Sequence, residues 1–234
     1  MMLRRLLMAS GAPTSDPFWA NVTALLHFDG ADGSTTFTDQ KGSVWTPTGD
    51  SQIDTAQWKF GGASGLFDGS GDYISTPNNT GFDFGSGDFT VEFWMRPVAN
   101  VTATQVLFCK AVGAGARSFS CAVASGNRVY MAVSSNGTNF TDYLSANGVF
   151  SAGVFSHIAY VRFGSVLSIY VNGVSVVSQA ITTSMFTANC PAQIGGRPSD
   201  GQYFNGHIDD LRVTKGVARY TTNFAPPAAA FPNG

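Results

Sequence analysis

The sequence predicts an all-β fold, two antiparallel sheets stacked as a sandwich, with a short N-terminal arm. Three observations carry that prediction. Short apolar runs recur from Asn21 onward, cut by turn residues every 8–12 positions or so, the spacing of a sandwich or barrel. The chain holds 27 Gly in 234 residues, and Asp29-Gly30, Asp68-Gly69, Asn136-Gly137 and Asn172-Gly173 lie at ends of such runs. Glu92 is the only glutamate among 15 acidic residues. Helices draw on Glu, whereas turns draw on Asp. With 44% apolar residues and 19 Phe, disorder is excluded. A chain of this length buries about 70% of its unfolded surface and needs no disulfide or metal to form a core.

The elements follow in order. Residues 22–28 form a strand that stops at Asp29-Gly30. Residues 63–67 and 73–75 flank the turn Asp68-Gly69-Ser70-Gly71-Asp72. Residues 89–95 are apolar on both faces apart from Glu92, which marks a central, covered strand. Strands at 105–110, 118–124, 129–134 and 140–144 come next. Residues 157–162, 166–171 and 174–178 make a meander. Its last turn is Asn172-Gly173, a pair that tolerates the positive φ of a type I′ hairpin. Strands at 192–195 and 204–213 close the fold. A single helical turn is expected at 183–186 or 214–219. Twelve or more strands most easily make two stacked sheets. No interior linker or repeat appears, so residues 18–234 form one domain behind an arm at 1–17. The stretch around Phe224-Ala225-Pro226-Pro227 reads as a terminal strap.

Charge excludes some partners. Net charge is −2, and no Lys/Arg cluster follows Arg4 and Arg5, so nucleic acid is not an expected partner. No run of 18 apolar residues exists, so no membrane span is expected. In the arm, Arg4 and Arg5 precede Leu6 and Leu7 like the start of a signal peptide, but the apolar run is shorter than the roughly 7–15 residues that one needs. Either the arm is a loosely docked lead-in, or Arg4, Arg5, Leu6 and Leu7 anchor the domain to a larger assembly. Cys109, Cys121 and Cys190 are odd in number, which leaves no complete disulfide framework. Pairing Lys110 with Arg117 would put Cys109 and Cys121 on opposite sheet faces, as buried thiols.

A sugar site needs aromatic platforms and planar polar partners. Trp45, Tyr143, Tyr203, Asn139, and Arg197 beside Asp200 are the candidates, with Trp58 a further platform. Trp94 is expected in the core, and Trp45 and Trp58 have the same alternative. His157, at a strand start, reads as a packing residue. The five N-x-S/T sequons read as accidents of loops rich in Asn and Thr.

Five segments in order resemble one family: LLHFDGADGSTTFTD at 25–39, FGGASGLFDGSGDYIS at 60–75, GDFTVEFWMRP at 87–97, FSHIAYVRFGSVLSIYVNG at 155–173 and FNGHIDDLRVTKGVARYTTNFAPP at 204–227. They are similar to a laminin-G-like jelly roll of the concanavalin A-like lectin/glucanase superfamily. The form with GVARYTTNF resembles versions found in bacteriophage structural and tail-associated proteins. The resemblance implies a concave ligand face, a binding role and a structural calcium ion. By that pattern Asp209 and Asp210 would meet Asp29 and Asp72 around the ion. By simple alternation Asp209 shares a face with Leu211, and Asp210 with Arg212. The alternative is that Asp210 pairs with Arg212 or Arg162, while Asp29, Asp32, Asp68 and Asp72 make Asx-turns. Glucanases of the superfamily set two glutamates on one strand as E-x-D-x-E, and retaining chemistry needs carboxylates about 5 Å apart. One Glu cannot supply that pair, so no enzyme is expected. The resemblance therefore points to a virion component displayed on capsid, tail or fibre. Its partners would be other virion proteins, through the arm, and a cell-surface glycan. The alternative is a secreted or surface lectin. Low charge and many Phe leave a homo-oligomer open.

Overall fold

The structure, a computed structural model, describes residues 15–234. Arg4, Arg5, Leu6 and Leu7 lie outside the described residues. The strands are β1 (Val22–Leu26), β2 (Thr46–Thr48), β3 (Gln52–Asp54), β4 (Ser64–Asp68), β5 (Tyr73–Thr76), β6 (Phe89–Pro97), β7 (Gln105–Ala111), β8 (Arg117–Ala124) and β9 (Arg128–Val133). They continue as β10 (Thr141–Leu144), β11 (Ser156–Phe163), β12 (Val166–Val171), β13 (Val174–Ala180), β14 (Ala192–Ile194), β15 (Gly196–Arg197), β16 (Gln202–Tyr203) and β17 (Asn205–Lys215).

They form two large antiparallel sheets. One has eight strands, in the order β13-β12-β11-β6-β17-β4-β3, with β1 also paired to β17. The other has seven, in the order β10-β9-β8-β7-β14-β5-β2. A small hairpin of β15 and β16 stands apart. The predicted sandwich is therefore what the chain builds. Helix is confined to short 3-10 turns at Trp19–Asn21, Thr80–Phe82 and Pro198–Asp200. Neither 183–186 nor 214–219 is helical; Thr214 and Lys215 instead extend β17.

The core lies between the sheets. Phe67, Phe89, Phe93, Phe108, Phe119 and Tyr160 are all fully buried there. Each such side chain contributes about 1.5–3 kcal/mol through its burial. Phe84 stacks on Phe89 at 4.3 Å, and the Tyr160 hydroxyl donates to the Ala122 carbonyl at 3.2 Å.

One irregularity corrects the alternation expected for β17. Asp209 pairs with Trp94 of β6, yet Arg212 pairs with Glu92, so β17 carries one extra residue. Asp210 takes it up at φ +49°. Such a bulge resets the parity of the strand. Ile208 and Leu211 consequently both reach the core, and Asp209 shares no face with Leu211.

The centre of the outer face of the eight-stranded sheet is covered by Asp16 and by the segment from Arg219 to Phe231. Arg212 donates to Glu92 through Nη2 at 2.7 Å and Nε at 3.0 Å. Its Nη1 donates to Asp16 at 2.9 Å, and Arg219 Nη2 donates to the same oxygen at 2.7 Å. The Tyr220 hydroxyl donates to Glu92 Oε2 at 2.7 Å. Phe231 lies 3.8 Å from the Arg212 guanidinium, and Tyr220 stacks on Phe224 at 3.6 Å. His157 is fully buried beside Glu92 and beneath these rings, a packing residue as the sequence suggested. The terminal strap thus docks on charge and aromatic packing together. Burial alone would raise the Glu92 carboxyl, but Arg212, His157 and Arg219 hold it down at about 2.

Glu92→Ala should lower the unfolding free energy by about 3–5 kcal/mol in urea titrations, because it leaves Arg212 buried and unpaired. The Glu92 contribution should be complete above pH 4.5 and fade as pH falls toward 2, since its folded pKa lies below its unfolded one.

Candidate functional site

With the centre of one outer face covered, the other carries the better candidate. Register places Gln193, Cys109, Ser120, Ala132 and Asp142 side by side across β14, β7, β8, β9 and β10. The next row is Val106, Ala122, Tyr130 and Leu144. The middle of this outer face is thus built largely of small side chains, a trough whose floor at Cys109, Ser120 and Ala122 is fully buried. Its inner counterparts on β8, Phe119, Cys121 and Val123, fill the core.

Two walls rise from the trough. One is the segment leading into β10, where Asn136 Oδ1 accepts from the Thr138 and Asn139 amides and shapes a turn ahead of Phe140. The other is the β15–β16 hairpin, which carries Arg197, Asp200 and Tyr203. Phe140 links the walls, with its ring 5.2 Å from both the Arg117 and Arg197 guanidiniums. Next to Tyr130, a hollow of about 180 Å³ is lined by Thr104, Ala124, Arg128, Tyr130, Asp142 and Leu144.

Polar groups converge here. Arg197 is 5% exposed. Its Nη2 donates to Gln202 Oε1 at 2.6 Å and lies 2.8 Å from Asp200 Oδ2. Arg197 Nε and Nη1, Arg117 Nε, and the Ser118 and Ser120 hydroxyls are buried and have no hydrogen-bond partner. Buried donors without acceptors cost about 1–3 kcal/mol each. Trp94 Nε1, His157 Nδ1 and His207 Nδ1 are in the same state elsewhere, and five such atoms belong to the residues around this trough. Cys109 lies in the trough too, but burial pushes its thiol up to about 12, which makes it unreactive.

Of the sugar-site residues expected from sequence, Arg197, Asp200 and Tyr203 share one wall, and Asn139 is exposed on the other beside Phe140. Trp45 and Tyr143 do not belong. Trp45 is 4% exposed in the core, where its Nε1 donates to Asp39 at 3.2 Å. Tyr143 is 7% exposed and also faces the core, because Asp142 and Leu144 take the outer side of β10. Trp58 is 52% exposed. Trp94 is buried as expected, but outside the inter-sheet core, edge-on to Phe60 at 5.8 Å. Sequence reasoning missed Arg117, Ser118, Ser120, Arg128, Tyr130, Phe140 and Asp142. The alternation of Ser118, Ser120, Ala122 and Ala124 with larger residues was the readable sign of a shallow face.

The carboxylates expected around calcium separate into two groups. Asp209 and Asp210 lie near Asp29; burial, with the Asp210 charge adding to it, raises the Asp29 and Asp209 carboxyls. Asp72 is elsewhere: its two oxygens accept from the Asp50 amide at 2.6 Å and the Asp68 amide at 3.0 Å. Asp210 is committed within the protein. It holds His27 Nδ1 at 2.7 Å and the Phe231 amide at 2.7 Å, not Arg212 or Arg162. Among the described residues, no group of three or more His, Cys, Asp or Glu is arranged to hold a metal ion. Asp29 and Asp209 remain as possible ligands. Asp209 Oδ2 accepts from the Lys59 and Phe60 amides at 2.7 and 3.0 Å, while its Oδ1 is buried without a partner. Asp29 is exposed and lies against Gly61, where any Cβ would strike its carboxylate. An unpartnered buried carboxylate oxygen beside a second carboxylate fits a hard cation, with carbonyls and water to complete its shell. The three cysteines are free and buried, with Cys109 on the outer face and Cys121 in the core. The register is shifted from the one expected, since Lys110 pairs with Phe119 and Ala111 with Arg117.

The two stacked antiparallel sheets define a jelly-roll β-sandwich class of domain. The Laminin_G_3 family model, described as concanavalin A-like lectin/glucanases superfamily, matches residues 68–219. The chain belongs to that superfamily. No curated protein sequence matches it. Among solved structures, the binding domain of Paraclostridial Mosquitocidal Protein 1 is similar at TM-score 0.69 and 15% identity, over 87% of this chain and 50% of that one. The botulinum neurotoxin serotype G binding domain matches at 0.65 and 13%, over 86% and 49%. Domain 4 of AbnA, a GH43 extracellular arabinanase from Geobacillus stearothermophilus, solved with arabinotriose, matches at 0.62 and 23%, over 85% and 94%. The chain thus spans about half the length of the toxin binding domains it matches. At these identities the likeness establishes the fold alone. No helix among the described residues is long and apolar enough to cross a membrane.

Burial lifts the Asp209 carboxyl from 3.8 to about 7. Its contribution to stability is full below pH 3.8 and is lost as pH rises through 7. In chelator at pH 8, Asp209→Asn should therefore stabilise the chain by about 1–3 kcal/mol in urea unfolding. Below pH 3.8 the two proteins should be nearly equal. A less stable variant at pH 8 would contradict this reading.

Proposed function

We propose that this chain is a non-catalytic glycan-binding module whose ligand lies along the outer trough of the seven-stranded sheet. The observation that carries the proposal is the set of buried, partnerless donors on Arg197, Arg117, Ser118 and Ser120, beside a hollow lined by Tyr130 and Asp142. Asp142, Arg128 and Thr104 around the hollow offer hydroxyl partners, and Tyr130, 8% exposed, lines its wall. The match to an arabinanase domain solved with arabinotriose supports a sugar as ligand, since it spans nearly all of that domain. The non-catalytic reading rests on Glu92. The sole glutamate is enclosed by Arg212, His157 and Tyr220 and held at about 2, so it is available neither as an acid nor as a nucleophile.

A structural calcium ion at Asp29 and Asp209 is part of the same proposal, on the partnerless Asp209 Oδ1. When bound, it would neutralise the rim carboxylates and hold the loop of Lys59 and Phe60. The setting we propose is the surface of a bacteriophage particle, and it rests on the resemblance of GVARYTTNF and neighbouring segments to phage structural proteins. Deleting residues 1–14, which leaves Asp16 on Arg212 and Arg219, should reduce incorporation into particles; unchanged incorporation would remove the arm as anchor.

The purified chain should bind a defined sugar set on a glycan array, in calcium and in chelator alike. Asp142→Ala should weaken that binding roughly tenfold, the loss of one charged hydrogen bond. A blank array in both buffers would overturn the glycan reading. Binding only in calcium would place the ion in the ligand site itself and not in a structural one.

A further inference from the structure

Resting on that reading, we infer that the ligand is an acidic glycan whose carboxylate docks between Arg117 and Arg197. The two guanidiniums approach one another across Phe140 and share a single carboxylate, Asp200 Oδ2, which lies 2.8 Å from Arg197 and 3.7 Å from Arg117. Around the trough, Arg117, Arg128 and Arg197 face Asp142 and Asp200, one more cation than anions. This local excess sits in a chain of net charge −2, so it is a feature of the site and not of the protein at large.

Arg197 defines what the second acceptor must be. Its Nη2 is held by Gln202 and Asp200, which fixes the guanidinium plane. Nε and Nη1 are left with no acceptor, as is Arg117 Nε. A neutral sugar hydroxyl would fill one donor but leave the charge uncompensated in a poorly hydrated place. A carboxylate supplies two acceptor oxygens and the missing negative charge, and charge-assisted bonds of this kind are about twice as strong as neutral ones. The Ser118 and Ser120 hydroxyls, also partnerless, can donate to the same group. Asp200 shows that a planar carboxylate is accommodated between the two cations. Phe140, half-buried with its ring 5.2 Å from both guanidiniums, is the side chain that ligand entry must shift, and its ring then faces the sugar.

The test is calorimetric titration of the full chain with trigalacturonate and its carboxyl-reduced counterpart, and with sialyllactose and lactose. At least one acid should bind tenfold or more tighter than its neutral partner. Arg197→Gln should erase that preference by weakening the acid far more than its neutral partner. Asp200→Asn, which frees the pair, should strengthen acid binding, and it serves as the independent variant if Arg197→Gln lowers the melting temperature. Equal binding of acid and neutral partners would overturn the acidic-ligand inference and leave the glycan reading standing. Tighter binding of a sulfated neutral trisaccharide than of either acid would overturn the carboxylate assignment. No binding of any of the four sugars, with positive spots on the glycan array, would overturn this inference alone. No binding together with a blank array would overturn the glycan reading as well.

Discussion

The ion pair of Glu92 with Arg212 is the contact on which the rest of the arrangement depends. It joins β6 to β17 at the centre of the eight-stranded sheet, on the side away from the core. Neither charge is left in the open: Asp16 takes the far side of Arg212, Arg219 joins Asp16, Tyr220 caps Glu92, and Phe231 covers the guanidinium. Buried ion pairs stabilise little against an apolar replacement of the same shape, because desolvation offsets the attraction. What this one adds is specificity. Its partners come from near both ends of the described chain, so the pair is complete only when both are docked. The Asp210 carboxylate repeats the device nearby by holding His27 and the Phe231 amide.

That closure decides which face is free for function. A sandwich has two outer faces, and here the centre of one is taken by Asp16 and the strap of Arg219 to Phe231. The seven-stranded sheet keeps its own face, floored by Ser120, Ala122 and Ala132 and walled by Phe140 and the Arg197 hairpin. Small floor residues leave depth for a ligand once Phe140 shifts, and charges set in so buried a place act more strongly than in water. The calcium candidate lies on a different part of the molecule, among Asp29, Lys59 and Asp209, and would act on loop order rather than on sugar contact.

Much of the fold was legible in the sequence because alternation and turn chemistry are local. Val166–Val171 and its Asn172-Gly173 turn appear as expected, with Asn172 at φ +49°. The three-residue strands β2 and β3 were not legible, since TPT and QID carry no apolar run. The bulge at Asp210 was hidden for another reason. A non-glycine residue at positive φ is held there by its contacts with His27 and Phe231, which lie far away in sequence. The site was legible only in part. The wall residues Arg197, Asp200 and Tyr203 stand in one glycine-bounded segment, and the sequence displays them together. Arg117, Ser120, Phe140 and Asp142 meet through strand register, which alternation alone does not determine. Trp45 and Tyr143 looked like platforms by type, but each points inward by the parity of its own segment.

The most direct test of the ligand face is a crystal structure of the chain with trigalacturonate bound. Sugar density along the outer side of β7, β8 and β9, with a carboxylate against Arg197, is the expected result. Sugar bound at the rim of Asp29 and Trp58, with the trough still closed by Phe140, would contradict the assignment of the face.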